Sequence, residues 1–581
     1  MIRLFETHEI RPSRELEGLW EFHPVGREGE IPERMDYRLP VPGCWETHPD
    51  LGTYRGVGLY RTTVNLDRKT NLRLEFKGVS HTADVYVDGS RIAHHYNAYT
   101  SFEAVVPNVE PGEHEIRLYA DNSFSERSAL HIANDYYTYG GPIRPIVLEE
   151  VGDVHIDRVS FTPEWHNGLW QGKWRAIVRN IGSEARETQL ILGLDGLHSV
   201  REKLFVEPGA SVLFERTETY GGAREWSPER PTLYKLRAEL AEGERKCDDW
   251  IDRVGFRRVD TEGGRLRING QPVLLKGVNR HEDHAICGAS FSFADLLRDI
   301  ELIRDLGCNS VRTSHYPSDE RFLDLCDEFG LLVWEENHAR GLTEEEMRNP
   351  RFKPQSEQVT REMVEQHGNR PSIVIWAVLN ECASHTAYGR TVYESELALI
   401  RDLDPSRPRS FASMHRDRDL CFDLVDIVSF NVYPGWYTDE EPAELLQQAK
   451  QWADRLGGAG KPVIFSEFGA DGYYGFRSRD RVKGSEERQS DILDANLKAY
   501  LSGDSPLAGV YVWQFGDCRV SEATNWLMSR GCTRNSKGLV DGYRRPKLAY
   551  DTVKAHFRGE KGGAASPAPT VPGAAPERTG R

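Results

Sequence analysis

The sequence of 581 residues has no long hydrophobic run, and no apolar stretch approaches the roughly 20 residues that a membrane span needs. The first seven residues, MIRLFET, lead into charged residues rather than into the apolar core of a signal peptide. The nine cysteines are scattered and include no CxxC pair, which favours free thiols in a reducing compartment over a disulfide framework. We therefore expect a cytoplasmic protein without a membrane span.

Positive charge is in deficit, because 74 Lys and Arg stand against 91 Asp and Glu and the formal net charge is −17. This balance argues against a nucleic acid or an anionic membrane as the main partner. It also argues, at first sight, against an anionic substrate. However, the Debye length is about 8 Å at physiological salt, so most surface acids are screened from a pocket.

The pattern of apolar residues divides the chain into three parts and a tail. Residues 1–150 and 151–256 show short alternating strands separated by turns, which predicts two successive all-β sandwiches. In residues 257–558, apolar strands alternate with amphipathic helices, and about eight such units predict a (β/α)8 TIM barrel. A doubly wound open sheet is the alternative, disfavoured because no glycine-rich phosphate loop follows the first strand. Residues 559–581, rich in Gly, Ala and Pro, predict a disordered tail.

Two glutamates follow buried strands of the predicted barrel. Asn380 and Glu381 come after the apolar run 373–378, and Glu467 comes after the run 463–465. We assign these runs to strands four and seven, whose carboxyl ends lie on opposite sides of one barrel mouth. Glycoside hydrolysis requires such a pair, since one carboxyl group protonates the leaving oxygen while the other is ionised and attacks. A lone glutamate would more often serve as a salt-bridge partner or a cap.

Four segments in this order resemble glycoside hydrolase family 2: GVNRHED (277–283), RTSHYP (312–317), NE (380–381) and SEFG (466–469). The resemblance implies that the first sandwich is a jelly-roll, sugar-binding-like domain and that the second is immunoglobulin-like. It also implies that Glu381 is the general acid/base and Glu467 the nucleophile of a retaining double displacement. Asn380 would then bind the 2-hydroxyl of the sugar.

Asn535 and Lys537, in the loop after the strand that carries Trp513, form an Asn-x-Lys element that resembles the carboxylate-reading motif of β-glucuronidases. A uronic acid differs from a neutral hexose by one carboxylate, so its recognition needs a local cation and amide donors. With Arg534 beside them, these residues predict a locally basic pocket in an acidic protein.

Further residues follow from the same resemblance. The segment NVYPGWY (431–437) resembles one that lines the sugar site, so Asn431 and Tyr433 are expected there, and Tyr433 is expected to donate a hydrogen bond to Glu467. Pro434 departs from the family pattern and leaves the role of Tyr437 open. The segment DYYTYGG (135–141) resembles a part of the first domain that reaches the barrel mouth.

Three more side chains complete the predicted substrate site. Asp135 is expected to accept hydrogen bonds from a sugar hydroxyl, and Trp513 to offer an apolar face to the sugar ring. His281 and His284 have a His-x-x-His spacing, but no third spaced ligand is evident, so we predict no catalytic metal and no cofactor. The resemblance instead makes His281 a substrate-site residue, and a structural ion is left open.

These features imply a retaining exo-β-glucuronidase that acts on a small-molecule or oligosaccharide β-glucuronide, as a monomer or as a homo-oligomer such as a dimer or tetramer. A β-galacturonidase or dual uronidase differs only at the C4 hydroxyl and stays open. A neutral β-galactosidase is disfavoured by Asn535 and Lys537, and a catalytically silent carbohydrate-binding protein by the two glutamates. With a helix predicted over 356–367, the loop 337–354 is short and rich in charge, which predicts an open aglycone side.

Overall fold

The computed structural model describes residues 7–522, 527 and 530–559 of the chain. It has two antiparallel β-sandwiches followed by a barrel of parallel strands, which confirms the predicted fold class. The chain leaves the first sandwich after Val151 and begins the first strand of the second at Val154. The predicted disordered tail, beyond Gly559, lies outside the described residues.

The first sandwich pairs a four-stranded sheet with a six-stranded sheet, and buried apolar residues from both form its core. Exposed and buried positions alternate over residues 63–66, at the end of the strand Val57–Leu66, which shows why such segments form strands with one face packed inward. In spatial order the smaller sheet contains Ser13–Glu15, Ile146–Val151, Thr70–Phe76 and Phe102–Val109. The larger contains Tyr37–Val41, Gly18–Val25, Val57–Leu66, Gly112–Asp121, Thr82–Val87 and Ser90–Tyr96.

The second sandwich packs a three-stranded sheet on a four-stranded sheet around a core that includes Trp174. Its sheets consist, in spatial order, of Val154–His166, Leu169–Asn180 and Ser211–Tyr220, and of Ser199–Val206, Arg186–Leu194, Tyr234–Glu242 and Arg245–Val254. Short strands then lead to the barrel: Trp226–Ser227, Arg230–Pro231, Val259–Asp260, Arg267–Ile268 and Gln271–Pro272.

The barrel has eight strand positions, which we call strands 1 to 8. They are Leu275–Asn279, Ser310–Thr313, Leu332–Glu336, Ile373–Ala377, the two halves Arg409–Ser410 and Ala412–Ser413, Val428–Asn431, Val463–Phe468 and Leu507–Val512. Strand 8 pairs with strand 1 and closes the ring on that side. The ring is interrupted within strand 5, whose first half pairs with strand 4 and whose second half pairs with strand 6.

Helices follow seven of the eight strand positions. They are Phe293–Asp305, Glu320–Phe329, Phe352–His367 with the short Glu344–Met347 before it, Ala387–Leu403, Pro442–Ala453, Glu486–Tyr500 and Leu548–Arg558. Local signals account for several ends: Ser292 and Asp295 form a capping box at the first helix, and Gly330 ends the second in the left-handed conformation. After strand 5, residues 414–427 are all described and contain only the 3-10 turn Arg416–Arg418.

A segment of the first sandwich, residues 134–144, reaches into the barrel mouth. Arg144 donates to Glu282 of the barrel at 3.0 Å, and the hydroxyl of Tyr136 lies 3.0 Å from a ring nitrogen of His338. The ring of Tyr99 from the same sandwich stacks on Tyr316 with 3.8 Å between the centroids. Because these contacts are buried, the first domain is fixed against the mouth of the barrel.

Candidate active site

A cavity of about 280 Å³ opens at the carboxyl ends of the barrel strands. Its lining comes from the first sandwich and from the loops after strands 3 to 8: Asp135, Arg340, Glu381, Met414, Arg416, Asn431, Tyr433, Tyr437, Thr438, Glu467, Trp513, Arg530 and Lys537. The cavity therefore brings together Lys537 and seven of the other residues that were predicted for catalysis and substrate binding. A second cavity, of about 250 Å³, lies where both sandwiches meet the helix Phe352–His367. Neither Glu381 nor Glu467 lines it.

Glu467 lies near the end of strand 7 and is buried. Arg312 at the end of strand 2 donates to its Oε1 at 2.8 Å, and the hydroxyl of Tyr433 donates to its Oε2 at 2.7 Å. The Tyr433 bond is the contact expected from the sequence. Both carboxylate oxygens of Glu467 are thus held by hydrogen bonds, which fixes the orientation of this side chain.

Arg312 is the centre of a buried network beneath Glu467. Its guanidinium donates to both oxygens of Glu336 at 2.9 Å, to Asn279 at 2.9 Å and to Asn380 at 2.7 Å. Because a buried guanidinium is costly unless its donors are satisfied, these partners stabilise its position against Glu467. The Nδ2 amide of Asn380 is buried without a hydrogen-bond partner among the described residues, so it keeps a free donor.

Glu381 follows strand 4 and has a left-handed backbone, with φ 54°. Its Oε1 accepts a hydrogen bond from the amide of Asn431 at 2.8 Å, and its Oε2 lies 3.3 Å from Nη2 of Arg340. The backbone N–H of Glu381 donates to the carbonyl of Ala412 in strand 5 at 2.9 Å. Strands 4, 5 and 6 therefore position this carboxyl group together.

The two glutamates influence each other electrostatically. Burial, and then the charge of Glu381, raise the pKa of Glu467 to about 8, against the opposing effects of Arg312 and Tyr433. The proton affinity of Glu467 therefore depends on the charge of its neighbour. One protonated and one ionised carboxyl group is the state that acid-assisted glycoside cleavage needs.

Asp135 comes from the first sandwich and is buried in the barrel mouth. Burial alone would raise the pKa of its carboxyl group, but the charges of Arg340 and Arg530 lower the pKa to about 2. Nη2 of Arg530 donates to Oδ2 of Asp135 at 3.0 Å, and the amide of Asn535 donates to the same oxygen at 3.1 Å. Asp135 is therefore an ionised acceptor at the meeting point of two domains.

Lys537 is buried and faces the cavity. Its ammonium group lies 3.1 Å from Oδ1 of Asp471, and Nη1 of Arg530 lies 3.5 Å from Oδ2 of the same residue. Asp471 is absent from the cavity lining, whereas both of these cations are part of it. The lining carries four cationic and three acidic side chains, and is thus more basic than the protein as a whole.

Four predicted site residues are absent from the cavity lining, namely His281, Asn380, Arg534 and Asn535, and of these Arg534 is directed elsewhere. It lies in the two-residue strand Arg534–Asn535, which pairs with Cys518–Arg519, and successive side chains of a strand point to opposite faces. Asn535 reaches Asp135, whereas Arg534 acts electrostatically on Asp283 and is absent from the cavity lining. Arg530, five residues before Asn535, takes the expected place.

The remaining predicted residues surround the cavity. Trp513 lines it and stacks on His315 at 5.0 Å between ring centroids, while His281 meets Trp513 edge to face at 5.4 Å. Tyr437 lines the cavity with its ring 5.1 Å from the ammonium of Lys537. Burial, and then the charge of His315, lower the pKa of His281, so His281 is a neutral hydrogen-bonding group.

Arg312, Arg340 and Arg530 are contacts that sequence reasoning missed. Arg312 was part of a recognised motif, and its signal is a charged residue at the end of an apolar strand, which a buried strand tolerates only with a partner. Arg340 and Arg530 lie in loops without such a signal.

Among the described residues, no group of three or more His, Cys, Asp or Glu side chains is placed to hold a metal ion. Within the same residues, no helix is long and apolar enough to cross a membrane.

Comparison with known proteins gives consistent results. The family model "Glycosyl hydrolases family 2, TIM barrel domain" matches residues 259–559, and "Glycosyl hydrolases family 2" matches residues 154–257. A β-glucuronidase of Streptococcus agalactiae is 29% identical, over 83% of this chain and 85% of the relative.

Two solved structures extend the comparison. A β-galacturonidase of Eisenbergiella tayi, bound to galacturonate, is 47% identical with a TM-score of 0.92, over 96% of this chain and 99% of the other. A β-D-glucuronidase of Dictyoglomus thermophilum is 26% identical with a TM-score of 0.81, over 95% and 97%. With its whole barrel matched by the family model, this chain is a glycoside hydrolase of family 2.

Proposed function

We propose that the protein is a retaining exo-β-uronidase that prefers β-D-galacturonides, with β-D-glucuronides as the second candidate. The observation that carries the proposal is that one cavity holds both a pair of interacting carboxyl groups and two cations, the buried Lys537 and the partly buried Arg530. A uronate carboxylate can form charge-assisted hydrogen bonds with these cations in addition to their contacts with Asp135 and Asp471, whereas a neutral sugar cannot.

In the proposed mechanism, Glu381 protonates the glycosidic oxygen while Glu467 attacks the anomeric carbon and forms a glycosyl-enzyme. Glu381 then deprotonates a water that releases the sugar with its β configuration retained. Arg312 and Tyr433 support this assignment, because both donate to Glu467 and stabilise its ionised form. A protonated Glu467 cannot attack the anomeric carbon, so these two donors favour the productive state.

The C6 carboxylate is proposed to bind Lys537 and Arg530, with the amide of Asn535 beside them. Charge-assisted hydrogen bonds of this kind are stronger than neutral ones and discriminate against sugars without the charge. Asp471 supports the assignment, since it contacts both cations without lining the cavity itself. Asn380 keeps a free amide donor for the 2-hydroxyl.

The order of the two sugars rests on similarity. The relative that binds galacturonate is 47% identical over 96% of this chain, whereas the Streptococcus β-glucuronidase is 29% identical over 83%. The two sugars differ only in the orientation of the C4 hydroxyl. The glucuronidase expected from the Asn-x-Lys element therefore stays as the second candidate, since that element reads the carboxylate that both sugars share.

The location and assembly of the protein are proposals as well. We propose a cytoplasmic enzyme, which is supported by nine cysteines that are all unbridged. We also propose a homo-oligomer, either a dimer or a tetramer, that does not bind nucleic acid. Light scattering coupled to gel filtration tests the assembly, and a mass of about 66.2 kDa would exclude an oligomer.

The test of function compares the 4-nitrophenyl β-D-galacturonide, glucuronide, galactoside and mannoside side by side. We expect turnover of the galacturonide to exceed that of the glucuronide, and both to exceed the neutral sugars. A preference for a neutral sugar would overturn the proposal, and a preference for the glucuronide would reverse the order within it. NMR of the first sugar released distinguishes the β anomer of a retaining enzyme from inversion.

A further inference from the structure

The outer part of the cavity differs in character from its floor. We call Met414, Arg416, Tyr437 and Thr438 the outer rim, since they come from the loops after strands 5 and 6 and line the mouth. The side chains of Met414 and Tyr437 are large and mainly apolar, yet they are 49% and 56% exposed. Exposed apolar side chains gathered at the mouth of a cavity with polar neighbours indicate a ligand contact.

The part of the outer rim that follows strand 5, with Met414 and Arg416, lies on the side of the proposed acid/base. The backbone N–H of Glu381 bonds to Ala412, two residues before Met414. A ring nitrogen of His415 lies 3.0 Å from the carbonyl of Cys382, the residue after Glu381. An acid/base must face the glycosidic oxygen, so the leaving group extends on its side of the sugar. A leaving group protonated by Glu381 would therefore extend toward Met414 and Arg416.

The polar groups of the outer rim are fixed in place. The guanidinium of Arg416 donates to both carboxylate oxygens of Glu440, at 2.9 and 3.0 Å, and the hydroxyl of Thr438 donates to Glu440 at 2.7 Å. A hydrocarbon aglycone would desolvate these groups and return no hydrogen bonds. A hydroxylated ring, by contrast, can pack against Tyr437 and Met414 and bond to the polar groups beside them.

The loop after strand 3 leaves this side open. Residues 337–351 are all described, and of these only Arg340 lines the cavity. The short helix Glu344–Met347 is held against the helix Ala387–Leu403 instead, because the hydroxyl of Tyr388 donates to the carbonyl of Met347 at 3.1 Å. The guanidinium of Arg348 lies 4.1 Å from the ring of Tyr388. An aglycone longer than one ring can therefore extend past the outer rim.

We propose that the outer rim is a subsite for a glycosyl aglycone, so that the substrates are uronosyl oligosaccharides rather than glycosides of apolar alcohols. This inference rests on the proposed uronidase function and names the substrate class of the same site. It adds that the chain selects the leaving group as well as the uronic acid.

The test measures kcat/KM on a β-D-galacturonosyl disaccharide and on 4-nitrophenyl β-D-galacturonide. Met414→Ala and Arg416→Ala are compared with Leu420→Ala and Arg418→Ala, which change exposed neighbours of the same loop that do not line the cavity. We expect the ratio of disaccharide to aryl kcat/KM to fall about tenfold in each rim variant. In the controls the ratio should change by less than about twofold.

The outcomes separate the subsite from the function. An unchanged ratio in both rim variants, or a wild type that cleaves the aryl galacturonide but not the disaccharide, overturns the subsite alone. A wild type that cleaves only neutral glycosides overturns the proposed function. If Arg416→Ala does not fold, Met414→Ala still decides, because its half-exposed side chain supports no core.

Discussion

The floor of the cavity and its outer rim differ in burial and in charge pairing. On the floor, Arg312 and Lys537 are buried, and each contacts at least one carboxylate. At the outer rim, Met414 and Tyr437 are exposed, and a single ion pair joins Arg416 to Glu440. Removing one partner of a buried pair leaves a desolvated charge, whereas an exposed side chain can change at little cost. The floor is thus suited to one charged sugar, and the rim to selection among leaving groups.

The largest loss of activity should come from the substitution Glu467→Gln on the floor of the cavity. Without a nucleophile, no glycosyl-enzyme forms, and kcat should fall by about 10⁴-fold or more. Steady-state turnover of the 4-nitrophenyl uronide measures this, with Glu345→Gln on the exposed helix Glu344–Met347 as the matched control. Residual turnover above about a tenth of wild type would assign the nucleophile to another residue.

Lys537→Ala should cause the next largest loss of activity, and the loss should be greater for charged sugars than for neutral ones. Losing a buried charge-assisted contact costs on the order of 2–4 kcal/mol, so kcat/KM on uronides should fall roughly 30- to 1,000-fold. The partly exposed Lys554 offers a control, as Lys554→Ala, at a distance from the cavity. If kcat/KM on the galacturonide does not change, the carboxylate is bound elsewhere.

Arg530→Ala should be weaker than Lys537→Ala, because Arg530 is less buried and divides its contacts between Asp135 and Asp471. We expect a rise in KM for the uronide of about tenfold, the effect of about 1.4 kcal/mol. Competitive inhibition by free D-galacturonate gives an independent measure of the same contact. An equal loss on the aryl galactoside would indicate a role in folding instead.

The pH profile tests the coupling of the two glutamates. The proposed nucleophile must be ionised to attack, and the pKa of Glu467 is raised to about 8, first by burial and then by the charge of Glu381. Consequently kcat/KM should rise about tenfold per pH unit on the acid side of pH 8, as Glu467 loses its proton. In Glu381→Gln the neighbouring charge is gone, so this limb should move to lower pH in the residual activity. A limb that stays in place in that variant belongs to another group.

The smallest effect is expected from Arg534→Ala. Its side chain is outside the cavity lining, so kcat/KM on the uronide should stay within about twofold of wild type. Comparing Arg530→Ala with Arg534→Ala therefore tests whether activity depends on a residue's place in the cavity or on its closeness to Lys537 in the sequence. A larger loss in Arg534→Ala would restore the residue first chosen from the sequence.

The barrel and its two glutamates were predictable because strand burial and strand ends leave a direct trace in the sequence. Apolar runs such as Ile373–Ala377 are wholly buried, and the polar residues after them lie at one mouth. Contacts made by long side chains from loops leave no such trace. Arg534 was chosen by its distance from Lys537 along the chain, while the alternation of a two-residue strand turns it away.

A local rule also explains the error in the helix after strand 3. The predicted start at residue 356 treated Pro354 as the end of the loop, but the helix begins at Phe352 and Pro354 lies in its first turn. Proline is tolerated there, because the N–H groups of the first turn have no partner within the helix. The loop is therefore shorter than the sequence indicated, and its short helix packs on a neighbour.

The missing helix of the fifth barrel unit has a consequence for how this enzyme can change over evolutionary time. The segment 414–427 carries Met414 and Arg416 of the outer rim, and it contains the 3-10 turn Arg416–Arg418 rather than a helix packed in the core. Insertions and substitutions at that turn can be sampled without disturbing the barrel, since surface connections tolerate them. New leaving groups could then be acquired by descendants that inherit the floor unchanged.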